Sequence, residues 1–390
     1  MRLISGIDTA MPDVRSKWNY HARWNQNERF WQEDFRQLAD CGFDLLRWQV
    51  PWSLVEPRRG EMKWELIDPK VELATRLGLE ILYPIVHFNM PSWTAGRGVR
   101  HPVYSPALPD HVAEYTDRIL SRYHFRLVIP IVEVQMEAFQ RGWLGNWQPH
   151  QKSRTSYRLI LKNVIKAFKS SASVAHAHGA TVFCSEPASE LETVAQLSDS
   201  IDIAGIDLYP HMHRQWTVLG YLQRWSRAAG KPLCISEFGI PETYDPTTGV
   251  DDCKRFIQAG IDRHRVVQAR QLRQTLQRAT AEGIQIPYGG WYPGTGNIGW
   301  GSSLTRERRA HDCDRAGLVD LARQPDGVLQ RVLCEGLLEE VLMLRDVGPC
   351  PQRSVRLVDT IPAPPVHLRA ELPQMPNAPA LEAAKHAAGD

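Results

Sequence analysis

Short apolar, β-branched runs recur along the chain, separated by longer segments whose apolar positions follow a helical period. Eight runs stand out: Leu3 to Ile7, Asp44 to Pro51, Glu80 to His87, Leu127 to Val134, Thr181 to Ser185, Ile201 to Leu208, Pro232 to Phe238 and Ile284 to Trp291. Between them the period predicts amphipathic helices over Arg29 to Ala39, Pro69 to Leu77, His111 to Tyr123, Ser153 to Ala177 and Arg265 to Ala281. The second carries its own punctuation, with Asp68 as candidate N-cap, Pro69 at the first helical position and Gly78 just past the end. Strands alternating with helices describe a parallel sheet covered by helices, and eight of them predict an α/β fold, a single (β/α)8 TIM barrel. A doubly wound open sheet is the alternative, but no GxGxxG follows the first run, which weakens its dinucleotide-binding version.

After the eighth run comes a Gly-rich loop, Tyr292 to Ser303, and then a predicted last helix, Gly327 to Leu344, that closes the barrel. From Pro349 the chain turns Pro-rich and then Ala-rich, with too little apolar periodicity to pack. The expected division is a barrel over 1–348 and a disordered tail over 349–390.

Composition narrows the classes of function. A chain of 390 residues is long enough for one barrel. Its 46 Lys and Arg against 44 Asp and Glu are spread without a basic block, so no footprint for nucleic acid is present. No uncharged apolar run approaches the roughly 18 residues of a membrane span. Seven cysteines, an odd number without CxxC spacing, read as buried thiols, Cys184 and Cys234 lying inside apolar runs. The first residues show no basic segment followed by an apolar one, so no signal peptide is expected and a cytoplasmic location fits best. The 13 Trp are the one oddity, several of them beside Pro, Gly or His, where flat faces suit flat ligands.

In a barrel, chemistry sits at the carboxyl ends of the strands. Those ends carry Arg47, Trp48 and Gln49 on the second, His87 on the third, Glu133 on the fourth, Glu186 on the fifth, Asp207 and Tyr209 on the sixth, Glu237 on the seventh and Trp291 on the eighth. A carboxylate at the end of an apolar run such as Leu233 to Ser236 is costly to bury, so Glu237 reads as a placed group. Glu133 follows a similar run, with Glu137 four residues on as its rival. Two carboxylates on opposed strands with aromatic walls suit glycoside hydrolysis, one as general acid and the other as nucleophile or base. The nucleophile needs Arg and Tyr hydrogen bonds to stay ionised, whereas the acid must hold its proton, which nearby negative charge promotes.

With these residues in view, the chain resembles the retaining β-glycosidases of clan A, most closely bacterial β-glucosidase-like proteins related to glycoside hydrolase family 1, from about residue 4 to 320. The resemblance is carried by EDFRQLADCGFDLLRW (Glu33 to Trp48), PWSLVEP (Pro51 to Pro57), HFNMP (His87 to Pro91), IPIVEV (Ile129 to Val134), GWLGNWQPH (Gly142 to His150), KPLCISEFG (Lys231 to Gly239), GGWYP (Gly289 to Pro293) with the later Trp300, and GLVDL (Gly317 to Leu321). It implies Glu237 as nucleophile and Glu133, favoured over Glu137 by the spacing to Gly142, as acid/base. Arg47, His87 and Tyr209 would orient the nucleophile and sugar, with Trp291 and Trp300 as walls of a carbohydrate or glycoside site. Two departures stand out: the Asn that precedes the acid/base in this clan and contacts the sugar 2-hydroxyl is Val132 here, and the Pro that follows the acid/base is Val134. Loss of the Asn removes roughly a few kcal/mol of transition-state stabilisation or signals a donor whose 2-hydroxyl is absent or replaced. Transglycosylation and noncatalytic sugar binding stay open beside hydrolysis.

No cofactor or metal is expected. His211 with His213 and His176 with His178 lack further ligands nearby. Arg306 to Arg309 reads as a solvated loop, and Gly294 to Gly299 lacks the following Lys-Ser/Thr of a nucleotide site.

Overall fold

The apolar runs become strands β1 (Arg2–Ile7), β2 (Leu45–Arg47), β3 (Glu80–Val86), β4 (Leu127–Ile131), β5 (Thr181–Val182), β6 (Glu186–Pro187), β7 (Ala204–Leu208), β8 (Leu233–Phe238) and β9 (Tyr288–Thr295) in a computed structural model. It describes residues 1–14, 17–209, 215–239, 244–245, 250–251, 263–298, 313–314 and 316–348. Along the sheet the strands run β5-β4-β3-β2-β1-β9-β8-β7-β6. β5 and β6 are two pieces of one stave. β5 pairs with β4 at Leu127↔Thr181, and β6 pairs with β7 at Glu186↔Ile206, so the two ends of the order meet and the barrel closes.

Helices α1 (Asn27–Asp40), α2 (Asp68–Arg76), α3 (Leu108–Tyr123), α4 (Arg154–Ala177), α5 (Leu191–Leu197), α6 (Val218–Ala229), α7 (Arg263–Ala281) and α8 (Glu335–Leu342) follow the strands. Strand parity divides the core in two. Ile4, Leu45, Leu82, Leu127, Ile129, Val132, Phe183 and Cys234 fill the lumen. Their neighbours Leu3, Leu46, Tyr83, Val128, Val182 and Ile235 face outward, where Phe35, Leu73, Val112, Val164 and Leu222 of the helices cover them. Cys41, Cys184, Cys234 and Cys334 are buried free thiols, as expected.

Three local expectations are corrected. Asp68 does not cap α2 with its side chain; its carboxylate accepts from Arg122 Nη2 at 2.6 Å and the Tyr123 hydroxyl at 2.6 Å, tying α2 to α3. The eighth strand runs four residues later than the apolar run suggested, because Gly283, at φ 90°, ends the α7 turn and Ile284 still packs in the outer layer. The last helix starts at Glu335 rather than Gly327. Residues before it form a hairpin, β10 (Val319–Arg323) with β11 (Leu329–Leu333), around Pro325, Asp326 and Gly327. Pro-Asp-Gly is turn chemistry, and Gly327 takes φ 82° while Asp326 accepts from Val328 N at 3.0 Å. The tail from Pro349 lies outside the described residues.

The hairpin is clamped to the barrel by Arg331, whose Nε donates to the buried Asp34 of α1 at 2.9 Å and whose Nη2 reaches Asn25 O at 3.1 Å. Asp34→Ala leaves that guanidinium without its carboxylate. The expected loss is about 3 kcal/mol, seen as a lowered Tm by scanning calorimetry with the far-UV circular dichroism of the folded state unchanged.

Candidate active site

Inward-facing positions at the carboxyl ends of the strands bring five of the expected residues together. Arg47 continues the lumen parity of Leu45 on β2. The β7–β8 register slips between Ile235 and Glu237, and this irregularity lets both Ser236 and Glu237 reach the polar cluster. Glu237 is 7% exposed and Arg47 2%. Arg47 Nη1 donates to Glu237 Oε1 and the Tyr209 hydroxyl donates to Oε2. Burial works against the charge of Arg47, yet Glu237, Tyr292 and Asp207 together hold it above the ordinary guanidinium value.

Glu133 follows β4 with φ 47° and ψ 62°, a left-handed conformation that costs a non-glycine residue about 1 kcal/mol or more. The turn is pinned from both sides. Glu133 N donates to Ser185 O at 2.8 Å, and the buried Glu186 carboxyl accepts from Val134 N at 2.7 Å and Gln135 N at 3.3 Å. So held, the half-buried Glu133 carboxyl meets two others: one oxygen each of Glu133, Asp207 and Glu237 lie within 4.8 Å of one another. Burial pushes the Glu133 carboxyl well above the usual range, and Glu237, Asp207 and Glu186 push it further, with Arg47 opposing. These three carboxyls are the group that could converge on a cation among the described residues, but Arg47 already supplies positive charge to one of them. Glu137, the rival of Glu133, is spent elsewhere. It is buried against Arg141, which also donates to Gln148 O at 2.7 Å and Phe88 O at 3.1 Å.

His87 is buried near Arg47. Burial and then Arg47 lower its pKa to about 3, against the pull of Asp8, so it stands as a neutral imidazole. Asp8, just past β1, was missed in the sequence. It accepts from His21 Nδ1 at 2.7 Å and Ala10 N at 2.9 Å. Burial would raise its pKa, but the two histidines and that backbone bond bring it to about 2. A charged residue two positions after Gly6, on the same strand parity as the lumen-facing Ile4, was the available signal.

The placement of Trp291 overturns the expected wall. Tyr288 packs on the lumen cluster, so parity sends Trp291 outward, where it is 1% exposed, stands edge-on to Phe238 at 5.6 Å and donates its indole N–H to Ala316 O at 2.8 Å. Tyr292 faces inward instead, with the Arg47 guanidinium 5.0 Å from its ring centre. Trp300, His211 to His213 and Arg306 to Arg309 lie outside the described residues. His176 and His178 pair with Asp202 at 3.0 Å and Asp117 at 2.8 Å, which accounts for both without a metal. In the Gly-rich loop, Gly296 N bonds Val319 O at 2.8 Å, so that backbone group is not aimed at a phosphate.

Comparisons with known proteins agree with this architecture. Residues 19–104 match the family model of glycoside hydrolase family 42, described as β-galactosidase. Among solved structures, β-glucosidase from Thermotoga maritima in complex with glucoimidazole superposes with TM-score 0.65 at 13% identity, covering 83% of this chain and 88% of that one. The complex of β-glucosidase from the same organism with castanospermine gives TM-score 0.67 at 10% identity over 89% and 98%. β-Glycosidase from Pyrococcus horikoshii gives 0.65 at 15% identity over 87% and 93%. A sequence search of curated proteins returns no match. The fold is the (β/α)8 barrel of the β-glucosidase and β-glycosidase structures on which the chain superposes, as the alternation of strands and helices predicted.

Gly6 is where fold and site meet. A Cβ there would lie 2.6 Å from Tyr292 Cε2 and 3.1 Å from Arg47 O. Gly6→Ala therefore pushes the Tyr292 ring off Arg47, with an expected destabilisation of about 1–3 kcal/mol by denaturant unfolding.

Proposed function

We propose that the chain is a retaining β-glycosidase working by double displacement. The observation that carries this reading is the approach of Glu133 and Glu237, whose nearest oxygens lie within 4.8 Å. Retaining enzymes hold their carboxyls about 5–5.5 Å apart, whereas inverting ones leave about 6.5–9.5 Å for a water. The two environments also suit different tasks. Glu237 receives a guanidinium N–H and a phenol O–H, two donors that orient its oxygens for attack on the anomeric carbon. Glu133 sits where burial and neighbouring carboxyls favour the protonated form, which protonates the leaving oxygen and later takes a proton from water. His87 and Tyr292 lie beside Arg47.

The donor follows from what lines the mouth. Val132 lies in the apolar lumen cluster and offers no hydrogen bond beside Glu133, so a donor that depends on a 2-hydroxyl contact there gains nothing. The glucoimidazole and castanospermine complexes of the Thermotoga maritima β-glucosidase support a sugar-sized site in this fold. Glucosides, galactosides, fucosides and 2-deoxyglucosides are the donors to compare.

Hydrolysis of aryl β-glycosides tests the reading. Glu237→Ala should abolish turnover, and Glu133→Ala should lose about 10²–10⁴-fold on poor leaving groups and, with an activated leaving group that needs no acid, recover with azide as a β-glycosyl azide. The wild-type rate should be sustained through neutral pH and fall as pH rises through the raised pKa of Glu133, because the acid then lacks its proton. A product of inverted configuration, read by NMR at early times, would sink the proposal.

A further inference from the structure

The double displacement uses two carboxyls, and the cluster holds three. Asp207, at the inward-facing end of β7, is fully buried. Ser236 Oγ donates to its Oδ1 at 2.6 Å, and Ser185 Oγ lies 2.8 Å from Oδ1 and 2.9 Å from Oδ2. These are neutral donors. The Arg47 Nη1 donor goes to Glu237, and Arg47 is the guanidinium whose charge favours ionisation of both Asp207 and Glu133. Three ionised carboxylates so close to one such cation repel one another, so the cluster keeps protons into the neutral range and its members divide them.

We infer that Asp207 is a positioning residue for the catalytic proton: anchored by Ser185 and Ser236 and facing Glu133 and Glu237, it keeps the acid proton on Glu133 to higher pH than the catalytic pair would by itself. The inference rests on Glu133 being the acid/base. Burial and then Glu237 raise Asp207 to about 8, with Arg47 and the two serines opposing, so its charge appears only above neutrality. Once present, that charge makes removal of the Glu133 proton harder. The other titratable groups facing Asp207 do not substitute for it. Cys184, Cys234, Tyr209 and Tyr292 are all raised by burial and stay neutral. Glu186, likewise raised by burial, is engaged with the backbone of Val134 and Gln135.

Asp207→Asn keeps the size of the side chain and an oxygen for both serines but carries no charge. The test is kcat/KM against pH for wild type and Asp207→Asn, with one aryl β-glycoside whose leaving group needs acid assistance and one whose leaving group does not. With the first substrate the alkaline limb should move to lower pH by roughly one unit, and with the second it should stay in place. A residue that merely supports the fold would lower the rate at every pH without moving the limb. If Asp207→Asn does not fold, Ser185→Ala takes its place. It removes a donor to Asp207 but leaves the Ser185 carbonyl that accepts from Glu133 N, and should shift the limb in the same direction by less. Turnover with an unmoved limb overturns the role of Asp207 and leaves the glycosidase reading standing; absence of turnover in the wild type on any glycoside overturns both.

Discussion

A guanidinium and a carboxylate taken out of water together govern the mouth of this barrel. Arg47 and Glu237 sit on strands separated in sequence by 190 residues, and each is nearly inaccessible to solvent. Desolvating either ion costs several kcal/mol, which is tolerable only because each is the other's partner and Tyr209 and Tyr292 take further faces. The pair therefore constrains three staves at once: β2 must present Arg47 inward, β8 must slip its register to bring Glu237 in beside Ser236, and β9 must offer Tyr292 rather than Trp291. Gly6 belongs to the same constraint, since any side chain there would occupy the space of the Tyr292 ring.

With that pair in place, the remaining carboxyls are defined by their distance from it. Glu133 is close enough to Glu237 to be kept from ionising, and a strained backbone turn holds it there. The strain is supported locally by Ser185 O and by the Glu186 carboxyl, which satisfies two N–H groups at the start of the short helix Val134–Ala138. Four carboxyls thus converge on one end of the barrel in four different states of engagement: ion-paired, half-buried and raised, held by hydroxyls, and bound to backbone.

Much of this was legible along the chain because burial in a closed parallel barrel leaves a plain mark. Strands covered on both faces read as continuous apolar runs, and a charged residue at the end of such a run stands out as Glu237 and Glu133 do. The family resemblance favoured Glu133 over Glu137 through the spacing to Gly142, and in the structure Glu137 pairs with Arg141 while Glu133 faces Glu237. Less legible were features in which local chemistry competes with period. Leu329 to Leu333 has apolar positions that fit helix or strand, and the Pro-Asp-Gly turn before it decides for a hairpin. Asp68 has the right type and place for a cap, but Arg122 and Tyr123 offer it stronger partners from a helix more than 50 residues away.

The sequence by itself determined the eight-stave architecture, the helices between the staves and which strand ends carry charge, because those depend on local period and on the cost of burying a charged group. Only the tertiary structure decided which ends face one another and in what protonation state. Whether Trp291 or Tyr292 enters the lumen turns on a one-residue parity that both aromatic types satisfy in isolation. Whether Asp207 is a bystander or a third member of the cluster turns on distances across the barrel, and whether a carboxyl is charged turns on what else is buried within a few ångströms of it.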